Sequence, residues 1–162
     1  MNEHPRIGLG IDVHRLEAGR TCTLAGVPFP GSPVGPVGHS DGDAVLHAAC
    51  DAVLGAAGLD DLGTLFPDKD PANRGRASAE FCAAAMLRVH QEGLRVLSMD
   101  VVVETEAPKL QPMRRAMRDR LAQLFGLSAD RVNVKGKTGE KVDAIGRGEA
   151  MRATVVVLLG PL

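Results

Sequence analysis

Apolar residues alternate with glycine or polar residues near the start of the chain, where Gly8 and Gly10 stand between them. This period of two predicts a β-strand with one apolar face. On such a strand Asp12 and His14 share the other face with the two glycines, where the bare backbone allows a ligand to approach closely. The apolar positions are Ile7, Leu9, Ile11 and Val13.

Three later segments carry apolar residues at the spacing of an amphipathic helix. They cover residues 41–57, 78–92 and 111–125. Gly93 and Gly126 follow the second and third segments, as expected where helices end.

Further apolar runs predict strands at residues 21–27, 94–104, 131–135 and 151–159, while the Pro- and Gly-rich segment 28–38 predicts a loop. The predicted order is β, β, α, α, β, α, β, β, which indicates an α+β two-layer sandwich. The chain has 162 residues, without an internal repeat or a linker, so we expect one domain over residues 1–162.

The charge is balanced, with 19 basic and 20 acidic side chains. This balance argues against a broad nucleic-acid-binding face. Trp and Tyr are absent, so the aromatic side chains on which single-strand and RNA binders stack bases are missing. We therefore expect no nucleic-acid partner, although a local phosphate pocket remains compatible with this composition.

The three cysteines are odd in number and widely spaced, at Cys22, Cys50 and Cys82. This pattern favours small buried thiols in a reducing compartment over a disulfide scaffold. No apolar run reaches the roughly 18 residues that a membrane-spanning helix needs, and the start of the chain lacks the apolar core of a signal peptide. We expect a cytoplasmic protein with no membrane partner.

The segment 39–47 begins as a turn of Ser, Asp and Gly and continues as an apolar, alanine-rich run. Ser40 followed three residues later by Asp43 resembles a capping box. This interpretation puts His39 in a loop and His47 inside the following helix.

Asp12, His14 and His47 form a candidate metal site. Two imidazoles and one carboxylate suit Zn²⁺ with a fourth position open to water or substrate. The loop at His39 would then hold the substrate over the metal. The competing interpretation is that Asp12 and His14 merely close a strand, and that His47 is a hydrogen-bonded core histidine.

A polar loop rich in carboxylates follows the first helix. Asp61, Asp68 and Asp70 suit either a second cation that prefers oxygen ligands or the hydroxyls of a sugar. The alternative is an acidic, solvated turn held by Pro67 and Pro71.

The segment 136–141 looks like the end of a Walker A loop, but Arg131 stands where that pattern needs glycine. Its backbone N–H groups, with Lys137 and Thr138, can still contact phosphate, and Glu140 can complete a Mg²⁺ or Mn²⁺ site. The alternative is a tight turn between strands.

Lys109 and Arg147 are two further candidate anion contacts. Arg147 lies in a glycine-rich turn, where its guanidinium can grip an anion with two hydrogen bonds. Lys109 either binds phosphate or is a surface cation ahead of a helix.

Five segments, taken in order, resemble the family of 2-C-methyl-D-erythritol 2,4-cyclodiphosphate synthases of the non-mevalonate isoprenoid pathway. They are Gly-Ile-Asp-Val-His, His-Ser-Asp-Gly-Asp-Ala-Val-Leu-His, Leu-Phe-Pro-Asp-Lys-Asp-Pro, Ala-Pro-Lys and Gly-Arg-Gly-Glu, at residues 10–14, 39–47, 65–71, 107–109 and 146–149. Because the five span nearly the whole chain, their combination is far more specific than any single motif.

The resemblance implies a fold and a reaction. The fold is a mixed four-stranded sheet with helices on one face, in a homotrimer of the chorismate-mutase-like arrangement with active sites between subunits. The reaction is that of a lyase acting on 4-diphosphocytidyl-2-C-methyl-D-erythritol 2-phosphate. The 2-phosphate attacks the β-phosphorus, which gives the cyclic diphosphate and releases CMP.

The resemblance also implies roles for individual residues. His39 and Thr138 resemble catalytic residues that stabilise the transition state, and Glu140 resembles the ligand of a Mg²⁺ or Mn²⁺ ion bound with the substrate diphosphate. The ligands of one Zn²⁺ per subunit correspond to Asp12, His14 and His47.

The substrate contacts implied by the resemblance fall into several stretches. Within residues 61–70 lies a methylerythritol-binding loop, and residues 105–111 resemble a cytidine pocket contributed by the neighbouring subunit. The full set is Asp12, Val13, His14, His39, Ser40, Asp61, Leu62, Gly63, Phe66, Pro67, Asp68, Lys69, Asp70, Thr105, Glu106, Ala107, Pro108, Lys109, Leu110, Gln111, Lys137, Thr138, Gly139, Glu140, Ala144 and Arg147.

Two stretches depart from the family pattern. Residues 137–139 replace a run of threonines, and residues 143–145 replace Gly-Phe-Thr. The family phenylalanine lies near an apolar central cavity of the trimer, so Ala144 leaves open whether this cavity takes a prenyl diphosphate. Two other functions remain compatible with the residues themselves: a Zn²⁺ phosphohydrolase that uses water as nucleophile, and a non-catalytic trimeric protein that binds metal and nucleotide.

Overall fold

A mixed β-sheet of five strands forms one layer of the computed structural model, which describes residues 4–38 and 40–162. The strand order is β4-β1-β7-β5-β6, and within it only β5 and β6 run parallel. The strands are β1 (Arg6–Ala18), β2 (Thr23–Leu24), β3 (Val27–Pro28), β4 (Val34–Pro36), β5 (Leu94–Glu104), β6 (Val132–Lys137) and β7 (Ala150–Pro161).

Within the described part of the chain, three long helices and two single-turn helices accompany the sheet, and α1 packs on β1 and β7. The helices are α1 (Ala44–Ala57), α2 (Leu62–Leu65), α3 (Ser78–Gln91), α4 (Arg114–Phe125) and α5 (Asp143–Gly146). The expected α+β fold with a mixed sheet is confirmed. Among the described residues, no helix has the length and apolar character needed to cross a membrane.

The expected count of four strands is wrong, because β4 adds a fifth strand at the edge of the sheet. It pairs antiparallel with β1, from Leu16 opposite Pro36 to Ala18 opposite Val34. It lies in the Pro- and Gly-rich segment that the sequence predicts to be a loop. An edge strand tolerates proline because one side of its backbone needs no partner, and such a short strand has too few residues to show a period.

The strand predicted over residues 21–27 is not part of this sheet. It forms instead a small hairpin in which β2 pairs with β3. Ala25 and Gly26 make the turn, with φ of 55° and 70°. Two successive positive φ values are typical of the tight turn that joins two hairpin strands.

Strand β1 and helix α1 approach each other unusually closely. A Cβ atom on Gly10 would lie 1.8 Å from the backbone oxygen of Ala48, and one on Gly8 would lie 1.9 Å from that of Ala52. Only glycine allows this contact, since any side chain would overlap the helix backbone. The close contact brings the Asp12 and His14 face of β1 towards α1.

The opposite face of β1 is exposed and apolar. The exposed fractions of Ile7, Leu9, Ile11 and Val13 are 75%, 58%, 51% and 56%. On the helix-covered side, the buried apolar side chains form one cluster. A row of four large apolar residues in water is unusual for a monomer and indicates an interaction surface.

Helix α1 begins three residues later than predicted, and its N-cap is Asp43 rather than Ser40. The Asp43 carboxylate accepts a hydrogen bond from the Leu46 backbone N–H at 3.1 Å. It also accepts from the N–H groups of Ala25 at 2.9 Å and Gly26 at 2.7 Å. This buried side chain therefore ties the β2–β3 turn to the start of α1.

Candidate active site

Asp12, His14 and His47 meet where β1 passes over the first turn of α1. Asp12 Oδ2 lies 2.7 Å from His14 Nε2 and 3.4 Å from His47 Nδ1. One ligand atom from each of the three residues lies within 4.8 Å of the others. Two neighbouring positions on one strand face and one position on the helix beneath it thus form a compact N,N,O cluster.

Each imidazole ring also makes a hydrogen bond through the nitrogen that points away from Asp12. His14 Nδ1 donates to the backbone oxygen of Val37 at 2.8 Å. His47 Nε2 lies 2.9 Å from Ser78 Oγ. These contacts aim the remaining nitrogen of each ring at Asp12, an arrangement that is usual for metal-binding histidines.

The Asp12 carboxylate and the His14 imidazole each stabilise the charged form of the other. Burial raises the pKa of Asp12, but the hydrogen bond from His14 and the adjacent His47 imidazole outweigh burial and leave that pKa below its ordinary value. The hydrogen bond to Asp12 raises the pKa of His14 above its ordinary value, against the effect of burial. Without a metal the cluster therefore favours a proton between Asp12 and His14, and a metal ion bound there displaces that proton.

The donor set fits a divalent metal ion. Imidazole nitrogen and carboxylate oxygen are ligands for first-row divalent ions, and both rings already have fixed orientations. The three side chains are partly exposed, so the cluster opens on one side to the neighbouring cavity. A bound ion would keep an open position for a ligand.

A cavity of about 720 Å³ adjoins the cluster. It contains many of the residues that the sequence proposes for substrate contact. Phe66 packs against Phe81 at 5.3 Å between ring centroids, and the guanidinium of Arg76 lies 5.1 Å from the Phe81 ring. The proposed residues that line it are Asp12, His14, Ser40, Leu62, Gly63, Phe66, Asp68 and Lys69.

Four other residues that the sequence proposes for substrate contact in this region do not line this cavity. Asp61 caps α2 by accepting from the Thr64 N–H at 2.8 Å, and Asp70 accepts from the Ala72 N–H at 2.9 Å at the start of a 3₁₀ turn. The side chain of Val13 is on the exposed face of β1, away from the cluster. The backbone oxygen of Pro67 accepts from the Asn73 amide at 3.1 Å.

His39 lies outside the described residues, so its catalytic role stays a prediction. Its neighbour Ser40 lines the cavity, and Ser40 Oγ is 3.3 Å from His47 Nε2. Asp41 is exposed, but its carboxylate accepts from the backbone N–H of Ser78 at 3.0 Å. The two acidic side chains of the loop before α1, Asp41 and Asp43, thus both accept hydrogen bonds from the backbone of this chain.

A second cavity, of about 540 Å³, lies at the segment predicted to bind cytidine. Glu106 connects its two walls, because Glu106 Oε1 accepts from the Gly139 N–H at 2.7 Å. The Ala107–Pro108 peptide bond in this segment is cis. The proposed residues that line this cavity are Thr105, Glu106, Pro108, Lys109, Leu110, Gln111, Lys137 and Thr138.

Among the described residues, the linings of these two cavities have no member in common. Glu140 lines neither cavity; it is exposed and has a φ of 53°. Ala144 is in α5, and the exposed Arg147 pairs with Glu149 at 3.0 Å. The Asp12, His14 and His47 cluster and the residues implicated in nucleotide binding therefore line different cavities of one chain.

Several residues of the site escape sequence reasoning. Asp51 lines the metal-side cavity and accepts from the Leu62 N–H at 2.8 Å, and burial raises its pKa. Its position one turn after His47 was a usable signal, since residues four apart share a helix face. Asn73, Arg74 and Ser78 carry no local pattern that sets them apart.

The chain matches one protein family over nearly its whole length. The family model described as the YgbB family matches residues 5–160. A relative from Gemmatimonas aurantiaca, named 2-C-methyl-D-erythritol 2,4-cyclodiphosphate synthase, is 48% identical over 155 residues, which cover 94% of this chain and 93% of the relative.

Solved structures are similar over the same length. A synthase of the same name, in a form bound to CDP, superposes with a TM-score of 0.88 at 46% identity and covers 95% of this chain and 99% of its own. The IspF of Plasmodium falciparum, in complex with CDP, superposes with a TM-score of 0.86 at 32% identity and covers 99% of this chain and 98% of its own. From the near-complete family match and the close full-length relatives, this chain belongs to the YgbB family, that of the 2-C-methyl-D-erythritol 2,4-cyclodiphosphate synthases.

Proposed function

We propose that this chain converts 4-diphosphocytidyl-2-C-methyl-D-erythritol 2-phosphate to 2-C-methyl-D-erythritol 2,4-cyclodiphosphate and CMP, in the synthesis of isoprenoid precursors. The 2-phosphate oxygen forms a bond to the β-phosphorus while the bond from that phosphorus to the bridging oxygen breaks, and CMP leaves with that oxygen. The observation that carries the proposal is the Asp12, His14 and His47 cluster in the lining of a cavity of about 720 Å³.

Two divalent ions complete the proposed site. Asp12, His14 and His47 hold one Zn²⁺ per subunit, and Glu140 holds Mg²⁺ or Mn²⁺ together with the substrate diphosphate. When bound, these ions neutralise charge on the diphosphate and align it for in-line displacement.

The chain itself supplies binding and orientation. Asp68 and Lys69 of the metal-side cavity offer polar groups to the methylerythritol, and Ser40 contacts its phosphate. His39 and Thr138 stabilise charge on the reacting phosphorus. Since the nucleophile belongs to the same molecule, the reaction depends on holding it close to the β-phosphorus rather than on activating a water molecule.

The nucleotide end of the substrate belongs in the second cavity. Lys109 meets a phosphate there, and the segment 105–111 encloses the cytidine. Glu106 holds the Thr138 loop through the Gly139 N–H, so the cytidine segment and the catalytic loop keep a fixed relation. A pocket closed around both ends of the substrate excludes water and favours ring closure over hydrolysis.

We propose a homotrimer in which each active site combines two subunits. Two observations support this: the metal-side and nucleotide-side cavities of one chain are separate, and the sheet face of Leu9 and Ile11 is exposed. Burying such a face against a second copy removes large apolar side chains from water. It also allows the nucleotide-side cavity of one subunit to adjoin the metal of the next.

The three buried, free cysteines suit a reducing compartment, and we propose the cytoplasm.

The decisive experiment incubates the purified protein with the cytidyl substrate, Zn²⁺ and Mg²⁺ and identifies the products by ³¹P NMR. We expect the cyclic diphosphate and an equal amount of CMP. A linear phosphate product would instead identify a phosphohydrolase.

The matched variants for this experiment are His47→Ala and His90→Ala. His47 belongs to the cluster, whereas His90 is exposed on α3. We expect His47→Ala to lose bound zinc and product formation, and His90→Ala to retain both. Binding of metal and CDP by the wild type without turnover would indicate a non-catalytic binding protein.

A further inference from the structure

Ser78 is a buried polar residue at the start of α3, and its side chain lies between two others. Its exposed fraction is 0%. Ser78 Oγ is 2.9 Å from His47 Nε2 on one side and hydrogen-bonds to Asp41 Oδ1 on the other. The loop before α1, helix α1 and helix α3 therefore meet in one chain of hydrogen bonds.

The available donors and acceptors determine which atom donates in each of these hydrogen bonds. The Asp41 carboxylate already accepts from the backbone N–H groups of Ser78 at 3.0 Å and Asp43 at 3.1 Å, so it acts as an acceptor. The single hydroxyl proton of Ser78 is donated to Asp41. Ser78 Oγ then accepts the Nε2–H of His47.

This direction determines which nitrogen of His47 is free. With the proton on Nε2, the Nδ1 atom carries a lone pair, and Nδ1 is the atom that faces Asp12 Oδ2 at 3.4 Å. The backbone oxygen of Val37 does the same for His14, where it fixes the proton on Nδ1. The Val37 contact uses main chain, whereas the His47 contact depends on two side chains that can be changed.

We propose that Ser78 and Asp41 are positioning residues for the metal site, which hold His47 in the tautomer and orientation that present Nδ1 to the ion. This inference rests on the metal site of the proposed function and extends it to two residues that contact neither ion nor substrate. Outer hydrogen bonds of this kind typically change metal affinity by about 10–100-fold.

Ser40 is the competing partner of His47. Its Oγ lies 3.3 Å from the same Nε2 atom, farther than Ser78 Oγ at 2.9 Å. Ser40 is also only half-buried and lines the cavity, where substrate competes for its hydroxyl. Ser78 is fully buried and has Asp41 behind it, so it is the stronger acceptor for His47.

The test measures Zn²⁺ affinity by competition with a chromophoric chelator, and the d–d absorption of the Co²⁺-loaded protein. The variants are Ser78→Ala and Ser78→Cys, of which the second nearly preserves side-chain volume but hydrogen-bonds weakly. We expect both to bind Zn²⁺ about 10–100-fold more weakly than the wild type and to show an altered Co²⁺ spectrum.

Two further variants and a control complete the design. Asp41→Asn is expected to weaken binding similarly, and combining it with Ser78→Ala is expected to add little, because both break one chain. Ser32→Ala removes another hydrogen-bonded serine, whose Oγ donates to the Val34 oxygen at 2.6 Å, and should bind Zn²⁺ like the wild type.

Two outcomes overturn the inference. One is that the folded Ser78→Ala or Ser78→Cys protein shows the Zn²⁺ affinity and the Co²⁺ spectrum of the wild type. This outcome counts even where the metal-free variant is less stable than the wild type. The other comes from a comparison variant, Ser40→Ala, and is a loss of Zn²⁺ affinity in that variant but not in the Ser78 variants. Failure of the proposed metal site itself looks different, since the wild type and His47→Ala would then bind Zn²⁺ equally weakly.

Discussion

At the scale of single residues, Asp43 shows how a chemically suggestive side chain is used for structure. Its carboxylate accepts three backbone N–H groups, from Ala25, Gly26 and Leu46. Both oxygens are engaged, and the side chain is fully buried. The carboxylate is therefore part of the support beneath the metal site rather than a contact for substrate.

Replacing Asp43 by Asn tests this role. An amide keeps one acceptor oxygen and places an NH₂ group against an N–H donor, so we expect the free energy of unfolding to fall by about 1–3 kcal/mol. Urea titration at pH 7 measures the change. Asp119→Asn, at an exposed position of α4, serves as control and should stay within about 0.5 kcal/mol of the wild type.

A second prediction at this scale concerns metal removal. Zn²⁺ that binds only the folded chain stabilises it by about 2.7 kcal/mol when free ion exceeds the dissociation constant a hundredfold. We expect this gain in the wild type and its loss in His14→Ala, measured by thermal unfolding with and without chelator. His90→Ala should keep the full gain in stability. An equal gain in His14→Ala would show that Zn²⁺ binds elsewhere on the chain.

At the scale of elements, the contact of β1 with α1 assembles the site. Gly8 and Gly10 let the strand lie directly on the helix backbone, and the same strand face then carries Asp12 and His14 towards His47. The distance between strand and helix thus controls the distance between ligand atoms. Packing and the spacing of the candidate ligand atoms are therefore coupled here.

The substitution Gly10→Ala is expected to break this coupling. The new Cβ would lie 1.8 Å from the Ala48 oxygen, so the helix must move. We expect a loss of roughly 1–3 kcal/mol from overpacking, together with weaker Zn²⁺ binding. Chemical unfolding and chelator competition measure the two effects.

Gly55→Ala is the matched control for this substitution. A Cβ on Gly55, in α1, meets no heavy atom within 4 Å. Alanine favours the helix over glycine by about 1 kcal/mol, so this variant should be slightly more stable and bind Zn²⁺ normally. Unchanged Zn²⁺ affinity in a folded Gly10→Ala protein would show that the site does not depend on this contact.

At the scale of the whole molecule, the sheet has two very different faces. One face is covered by helices, while the face of Ile7, Leu9, Ile11 and Val13 is open. Charged pairs lie on other strands of the sheet, where Arg152 of β7 contacts Glu104 of β5 at 2.7 Å and Lys135 of β6 contacts Asp100 of β5 at 2.7 Å. Apolar rows and charged pairs together suit association with other copies of the same chain.

Leu9→Lys tests the assembly, with Leu87→Lys as control. The two leucines have similar exposed fractions, 58% and 59%, but Leu87 is on α3. We expect Leu9→Lys to lower the molar mass in sedimentation from trimer towards monomer and to abolish turnover. Zn²⁺ should still bind to each subunit, because its three ligands come from one chain.

The Leu87→Lys protein should remain trimeric and active. A Leu9→Lys protein that stays trimeric would exclude this face as the interface, and a monomeric, fully active protein would exclude a shared active site.

The sequence supports a large part of this description. Alternation placed Asp12 and His14 on the glycine side of β1, and helical spacing placed His47 in α1. Short or irregular elements such as β4 were not predicted, because three residues rich in Gly and Pro show no period. The cap at Asp43 was displaced by three residues, since its partners Ala25 and Gly26 are far away in sequence.

By itself the sequence determined the directions of side chains along each long element, the identity of the candidate metal donors and, through five ordered segments, the family. Those features depend on local backbone periods and on residue types. Tertiary structure alone decided that Ser78 and Val37 hold the histidines, that β4 closes the edge of the sheet and that the two cavities are separate. These depend on which distant segments pack together, and the sheet order and helix docking that bring them together leave no local pattern in the chain.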